Sequence, residues 1–159
     1  MVKVRDVMTK GIVSVPPAAR RRDALAVMEA AGSDIVAVCE RGKFRGIVTA
    51  RRLAMVSLEE GEAPESTEMR KLADKGLPII QPGADIIQAI RLMVRRGVDM
   101  LPVAQNGRLL GLFRLENLLE GVDPMELFLA ALTYLGAGDP MERQSEAALL
   151  DSGGEVGGE

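Results

Sequence analysis

Gly46-Ile47-Val48-Thr49-Ala50-Arg51-Arg52-Leu53 returns 65 residues later as Gly111-Leu112-Phe113-Arg114-Leu115-Glu116-Asn117-Leu118. Working outward from it at the same offset, Gly11 to Leu53 lies on Gly76 to Leu118 without a gap. The halves are therefore one unit duplicated. Identities fall at Gly11/Gly76, Pro17/Pro82, Ala19/Ala84, Ala24/Ala89, Met28/Met93, Gly32/Gly97, Asp34/Asp99, Val38/Val103, Gly42/Gly107, Gly46/Gly111 and Leu53/Leu118. Many are glycines, so turn geometry is much of what repeats.

Each unit reads as strand, helix, strand, strand, helix. Ile12 to Val15, closed by Pro16-Pro17, and Leu77 to Ile80, closed by Pro82, read as strands stopped by proline. Leu25, Val27, Met28 and Ala31, and then Ile86, Ile90, Met93 and Val94, recur near helical spacing and end at Gly32 and Gly97. Hairpins follow, Ile35 to Cys39 with Lys43 to Val48 and Met100 to Ala104 with Arg108 to Phe113, turning at Gly42 and Gly107. A second helix is expected after Val48 and after Phe113.

The quoted stretches, with Met100-Leu101-Pro102-Val103 and the Gly107 turn, resemble the last strands and helix of a cystathionine-β-synthase (CBS) domain. The resemblance covers roughly residues 3 to 120. It implies an α/β (α+β) fold in which two CBS repeats pack with pseudo-twofold symmetry, a stand-alone pair often called a Bateman module. A C-terminal helix completes the expected fold. The expected organisation is repeat 1 over 1–58, an acidic linker over 59–68, repeat 2 over 69–122, an apolar helix over 123–136 and a Gly/Glu-rich flexible tail over 137–159.

The resemblance further implies adenosine-containing ligands in clefts between the repeats. Each cleft would use a small hydroxyl in the first strand, a Thr or Ser where the last strand meets the second helix, and an Asp or Asn three residues later for the ribose. Carried over, the first copy offers Ser14, Val15 and Thr49, but has Arg52 in place of the ribose acid, and a guanidinium accepts no hydrogen bond. The second offers Asn117, with Ile79 and Ile80 in the first strand, Met100, Leu101 and Pro102 beside them, and Arg114 in place of the hydroxyl. An Arg there suits a phosphate, which it can grip with two N–H groups. The second set is the better candidate.

Composition narrows the function class. The 159 residues include no His and no Trp, one Cys (Cys39), one Tyr and three Phe. Without His the commonest general base is missing, so a binding module is read and no enzyme. A stacking platform for single-stranded nucleic acid is equally poorly supplied. A lone Cys builds no internal disulfide framework and no cysteine-rich metal site. No apolar run approaches the roughly 20 residues of a membrane span, and charges interrupt the N-terminus, so a cytoplasmic protein is expected.

The net charge of −3 is segregated. Residues 1–54 carry +6 and residues 69–120 +3, against −5 over 55–68 and −7 over 121–159. A basic body attracts anions. Three arginines, Arg20 to Arg22, sit at a helix start, where cations oppose the helix dipole, so an acidic segment, a partner or a ligand phosphate is expected beside them.

The resulting reading is an adenine-nucleotide-binding regulatory module responding to AMP, ADP or ATP, with no required cofactor. The alternatives are a nucleotide-independent interaction or dimerisation module and, third, a nucleic-acid-binding regulator. A homodimer is implied by the resemblance, with Leu53, Met55, Val56, Leu58, Leu115, Leu118 and Leu119 as interface candidates and room for an unidentified protein target. The Met125 to Leu135 stretch is apolar nearly all round as a helix and is expected to pack across the dimer or to receive a partner.

Overall fold

The computed structural model describes residues 2–59, 66–121, 123, 125–126 and 129. In chain order the elements are α1 (Val4–Val7), β1 (Ser14–Val15), α2 (Arg21–Ala31), β2 (Ile35–Glu40), β3 (Lys43–Thr49), α3 (Ala50–Glu59), α4 (Met69–Leu72), α5 (Ile86–Arg96), β4 (Met100–Gln105), β5 (Arg108–Arg114) and α6 (Asn117–Gly121). They form two compact units. Among the described residues, one holds Gly11–Gly76; the other combines those up to Lys10 with those from Leu77.

In the Gly11–Gly76 unit, β1 pairs parallel to β2 and β2 antiparallel to β3. In the other, β4 and β5 form the corresponding antiparallel hairpin, while the first strand expected at Leu77 to Ile80 is reduced to one bridge, Ile80 to Val103. A proline explains the loss. Ala37 donates its N–H to Val13 O at 2.9 Å, but its counterpart Pro102 has no N–H to give. What survives is Ile80 N to Pro102 O at 3.0 Å and Ala104 N to Ile80 O at 3.1 Å.

Helix ends follow the expected chemistry. Gly32 and Gly97 adopt left-handed φ of 62° and 63°, and the next N–H groups, of Ser33 and Val98, bond back to Met28 O and Met93 O. At the other ends an acidic or amide side chain one turn in receives the N-cap N–H: Arg20 N to Asp23 Oδ2, Asp85 N to Gln88 Oε1 and Lys3 N to Asp6 Oδ2, at 2.9 to 3.1 Å. Arg20 also bridges Glu68 through the backbone, while the Glu68 carboxylate lies 2.8 Å from Arg70 Nε.

Each sheet packs one face on its helices. Val15, Ala24, Met28, Val36, Val38, Val48, Leu53 and Val56 form the core of one unit; Ile80, Ile86, Ala89, Leu92, Leu101, Val103, Phe113 and Leu118 that of the other. Leu53, Val56 and Leu118, proposed above as interface residues, are thereby spent inside their own unit. Met55 and Leu115 remain exposed. The side chains of Leu58 and Leu119 lie outside the described residues.

The segment preceding each repeat was not anticipated. It continues the 65-residue offset, Val4 on Met69, Arg5 on Arg70 and Lys10 on Lys75, yet residues 2–10 pack on the second repeat and 66–76 on the first. The backbone bonds match one for one. Val4 N to Ala84 O answers Met69 N to Ala19 O, both 2.8 Å, and Arg5 N to Pro82 O answers Arg70 N to Pro17 O, both 3.0 Å. Thr9 and Leu112 exchange two bonds of 2.9 Å; Asp74 and Ile47 exchange two of 2.8 and 3.3 Å. The expected linker over 59–68 thus ends in structure: Thr67 O accepts from Arg21 N at 3.2 Å.

This crossing requires Gly46 and Gly111. A Cβ on Gly111 would stand 2.6 Å from Thr9 O, and one on Gly46 2.9 Å from Asp74 O. Both glycines adjoin a β-bulge, where Val38 and Val103 mark the register shift. Of the expected C-terminal helix, only its start is described: Asp123 Oδ1 accepts from Met125 N at 2.8 Å, and Glu126 Oε1 accepts from Val2 N at 3.1 Å. Most of 123–136 and all of 137–159 lie outside the described residues.

Gly111→Ala and Gly46→Ala are expected to lower stability by ~1–3 kcal/mol in denaturant titrations, because backbone must give way. Gly83→Ala, where nothing stands within 4 Å of the added Cβ, is the control and should change little. A second expectation concerns the hairpins. Both turn through two residues of positive φ, Arg41-Gly42 at 51° and 77° and Asn106-Gly107 at 54° and 77°. Asn tolerates that conformation better than Arg, so Arg41→Asn should stabilise by ~0.5–1 kcal/mol, measured the same way.

Candidate functional site

The junction from β5 to α6 is held by one side chain. Asn117, 9% exposed, accepts the Arg114 N–H on Oδ1 at 2.7 Å and donates from Nδ2 to Thr9 Oγ1 at 3.0 Å. One lone pair of Oδ1 and one N–H of Nδ2 remain. Arg114 is thereby fixed at the strand end, its side chain 27% exposed and its Nε 3.0 Å from Oε1 of the largely exposed Glu116. A carboxylate thus already sits on the guanidinium, the charge type that a phosphate would present.

In the first repeat the same junction is built from the other end. Thr49 Oγ1 accepts the Arg52 N–H at 3.1 Å, so position 49 caps forward where position 117 caps backward. Thr49 is half-buried, Arg52 exposed and Ser14 exposed. Arg52 corresponds to Asn117 and Asp74 to Thr9; Asp74 spends Oδ1 on Gly76 N at 2.9 Å.

Strand alternation sorts the candidates by face. Ser14 pairs with Ala37, Ala37 with Ile47 and Ile35 with Thr49, so these five share the sheet face away from the helix core. In the second repeat Met100 pairs with Arg114 and Pro102 with Leu112 on the equivalent face, and Ile79 joins them because its neighbour Ile80 enters the core. Met100, Leu112 and Ile79 are 6, 0 and 7% exposed, so the Arg114 guanidinium stands at the end of an apolar strip.

Three candidates are turned the other way. Val15, Ile80 and Leu101, at 5, 1 and 0% exposure, belong to the helix-side cores, leaving only their backbone groups for a ligand. Thr9 and Asp74 are the residues that sequence reasoning missed. Their signal was the continued offset from Arg5/Arg70 to Lys10/Lys75, which places both at one position of the repeat.

Cys39, half-buried at the end of β2, has its thiol pushed up by burial, which disfavours the reactive thiolate. Among the described residues no group of three or more Cys, Asp or Glu is gathered to hold a metal ion. No described helix is long and apolar enough to cross a membrane.

Comparison with known proteins gives concordant results. A protein of Methanocaldococcus jannaschii, uncharacterized protein MJ0188, is 27% identical over 150 residues, 91% of this chain and 55% of its own. Uncharacterized protein MK0525 of Methanopyrus kandleri is 28% identical over 91 residues, 57% of this chain and 46% of its own. The chain thus spans about half the length of these curated relatives. The CBS domain-containing protein YhcV of Bacillus subtilis is 25% identical over 118 residues, 74% of this chain and 84% of its own.

Among solved structures, a hexameric CBS-CP12 protein from bloom-forming cyanobacteria matches with a TM-score of 0.68 over 96% of each chain at 19% identity. A putative acetoin utilization protein from Vibrio cholerae matches at 0.65 over 87% of this chain and 99% of its own, at 21% identity. At such identities the likeness is one of fold. The description CBS domain fits residues 4–59 and 69–123, which together make up most of the chain, and the chain therefore belongs to the CBS-domain family as a tandem pair.

Proposed function

We propose that this CBS pair is a regulatory module that binds an adenine nucleotide, AMP or its higher phosphates, on the second repeat, and performs no catalysis. The observation that carries the reading is Arg114: a guanidinium fixed at the end of an apolar strip, held at present by a surface carboxylate. Apolar walls with a few convergent polar groups suit a purine, and a fixed guanidinium suits its phosphate. Asn117 serves first as the structural tie of the junction, with its remaining lone pair open to a ribose hydroxyl.

A second reading is favoured by a specific observation. Both polar ends of the Asn117 amide are engaged within the protein, and Ile79 stands where Ser14 offers a hydroxyl. A module of protein interaction without nucleotide would need no more than this. The remaining reading, a nucleic-acid-binding regulator, would declare itself by salt-dependent binding to DNA or RNA.

Calorimetric titration with adenosine, AMP, ADP and ATP separates the first two. Saturable binding with the phosphate-bearing ligands preferred is expected, and Arg114→Ala should weaken AMP by roughly tenfold while leaving adenosine nearly unchanged. Glu116→Gln, which removes the competing carboxylate, should tighten AMP. Absence of binding by all four ligands would leave the interaction module as the reading.

For assembly we propose a homodimer or larger oligomer. Its support is the set of exposed apolar side chains, Met55, Leu115, Met125 and Leu129, together with the hexameric state of the CBS-CP12 protein. Light scattering of the full chain and of a chain ending at Glu120 tests this. An oligomer whose stability falls on truncation is expected; a monomeric full chain would overturn it.

A further inference from the structure

The pair Thr9 and Asn117 joins two parts of the molecule that lie 108 residues apart in sequence. Thr9 belongs to the segment that pairs with β5 and then runs through Lys10 and Gly11, at φ 70°, into β1 of the other repeat. Asn117 donates to the Thr9 hydroxyl from one end of its amide and accepts the N–H of Arg114 on the other. At the equivalent place in the first repeat stand Asp74 and Arg52, which are arranged differently: Asp74 Oδ1 accepts from Gly76 N, and the Arg52 backbone N–H donates to Thr49 Oγ1. The contact is therefore peculiar to the repeat that carries Arg114.

We infer that Thr9 is a positioning residue of the second-repeat site, which orients Arg114 through Asn117 and links occupancy of that site to the segment entering the first repeat. The inference rests on Arg114 as the phosphate contact. The Arg114 N–H can only donate, so it decides that Oδ1 is the end of the Asn117 amide that faces it, and the Thr9 hydroxyl tethers the amide by accepting from Nδ2. With both ends tied, the strand end is held where the guanidinium can meet a phosphate. Without the hydroxyl the amide loses one of its two tethers, and the acceptor of the Arg114 N–H is held less firmly. In the other direction, a phosphate drawing on Arg114 reduces the fluctuations of Asn117 and so of Thr9, whose backbone exchanges two hydrogen bonds of 2.9 Å with Leu112.

Thr9→Val keeps shape and removes the hydroxyl; Thr9→Ser restores it. The probes are AMP and adenosine by calorimetry, and amide hydrogen exchange by NMR with and without AMP. In the free protein, Thr9→Val should speed exchange at Arg114 while Thr9→Ser retains the wild-type rate. Unchanged exchange at Arg114 in Thr9→Val would overturn the positioning chain whatever the titrations give.

With AMP, Thr9→Val should bind roughly two- to tenfold more weakly, with adenosine little affected and Thr9→Ser near wild type. AMP should also slow exchange at Thr9 and Leu112 in the wild type and do so less in Thr9→Val. Equal weakening of AMP and adenosine, or failure of serine to rescue, would make Thr9 merely structural. If the wild type binds neither probe, the nucleotide reading fails and with it the linkage, whereas the exchange result at Arg114 still decides the positioning.

Discussion

The close approach of two backbones at Gly111 and Gly46 is the constraint on which the rest depends. Each repeat alone offers only a hairpin, a fragment of a third strand and two helices. The missing edge is supplied by the segment with Thr9 or Asp74, which bonds twice to β5 or β3 across a glycine that leaves no room for a Cβ. A row of unpaired strand groups is a liability in water, and here it is answered from within the chain. The segment for the second repeat comes from the N-terminus, so that unit is not a continuous stretch of sequence, whereas the unit Gly11–Gly76 is.

That exchange makes chain order and physical unit different things. Boundaries drawn from the repeat at 1–58 and 69–122 describe duplication, and the family match at 4–59 and 69–123 does likewise. The contacts divide the chain at Lys10/Gly11 and Gly76/Leu77. Any perturbation of residues 2–10 therefore reaches the second repeat first, although those residues precede the first. A duplicated sequence can achieve this because its two segments carry the same backbone bonding pattern, and backbone groups do not distinguish which copy they serve.

Much of the fold was legible for local reasons. Gly32 and Gly97 stop helices because left-handed φ is open to glycine, and the two-residue turns at Gly42 and Gly107 set hairpin register. What could not be read was tertiary. Pro102 looked harmless in a strand, yet it faces a first strand that needed its N–H, and so Leu77 to Ile80 shrinks to a bridge. Leu53, Val56 and Leu118 looked like interface residues because apolar helical positions read alike whether they face a core or a partner. The candidate site was legible as positions but not as orientations. Alternation separates Ile79, Met100 and Pro102 from Ile80 and Leu101, while Thr9 becomes visible only when the exchanged segment is seen against Asn117.

The two junctions show how duplication permits divergence without loss of fold. At each, the strand end must pass into a helix whose first N–H groups lack partners. The first repeat meets this with Thr49, which accepts the N–H of Arg52 in the first turn of α3, whereas in the second Asn117, the first residue of α6, binds back to the N–H of the last β5 residue. Each junction is thus tied by one polar side chain, at position 49 in one copy and 117 in the other, which leaves the remaining position to a different residue. In the first repeat that position became Arg52, exposed; in the second it became Arg114, held beside an apolar strip. The cation thus stands three residues apart in the two copies, on the sheet face in one and in the first helical turn in the other. Two halves with the same backbone therefore present different surfaces to an anion, and any response of the pair to such a ligand begins from that asymmetry.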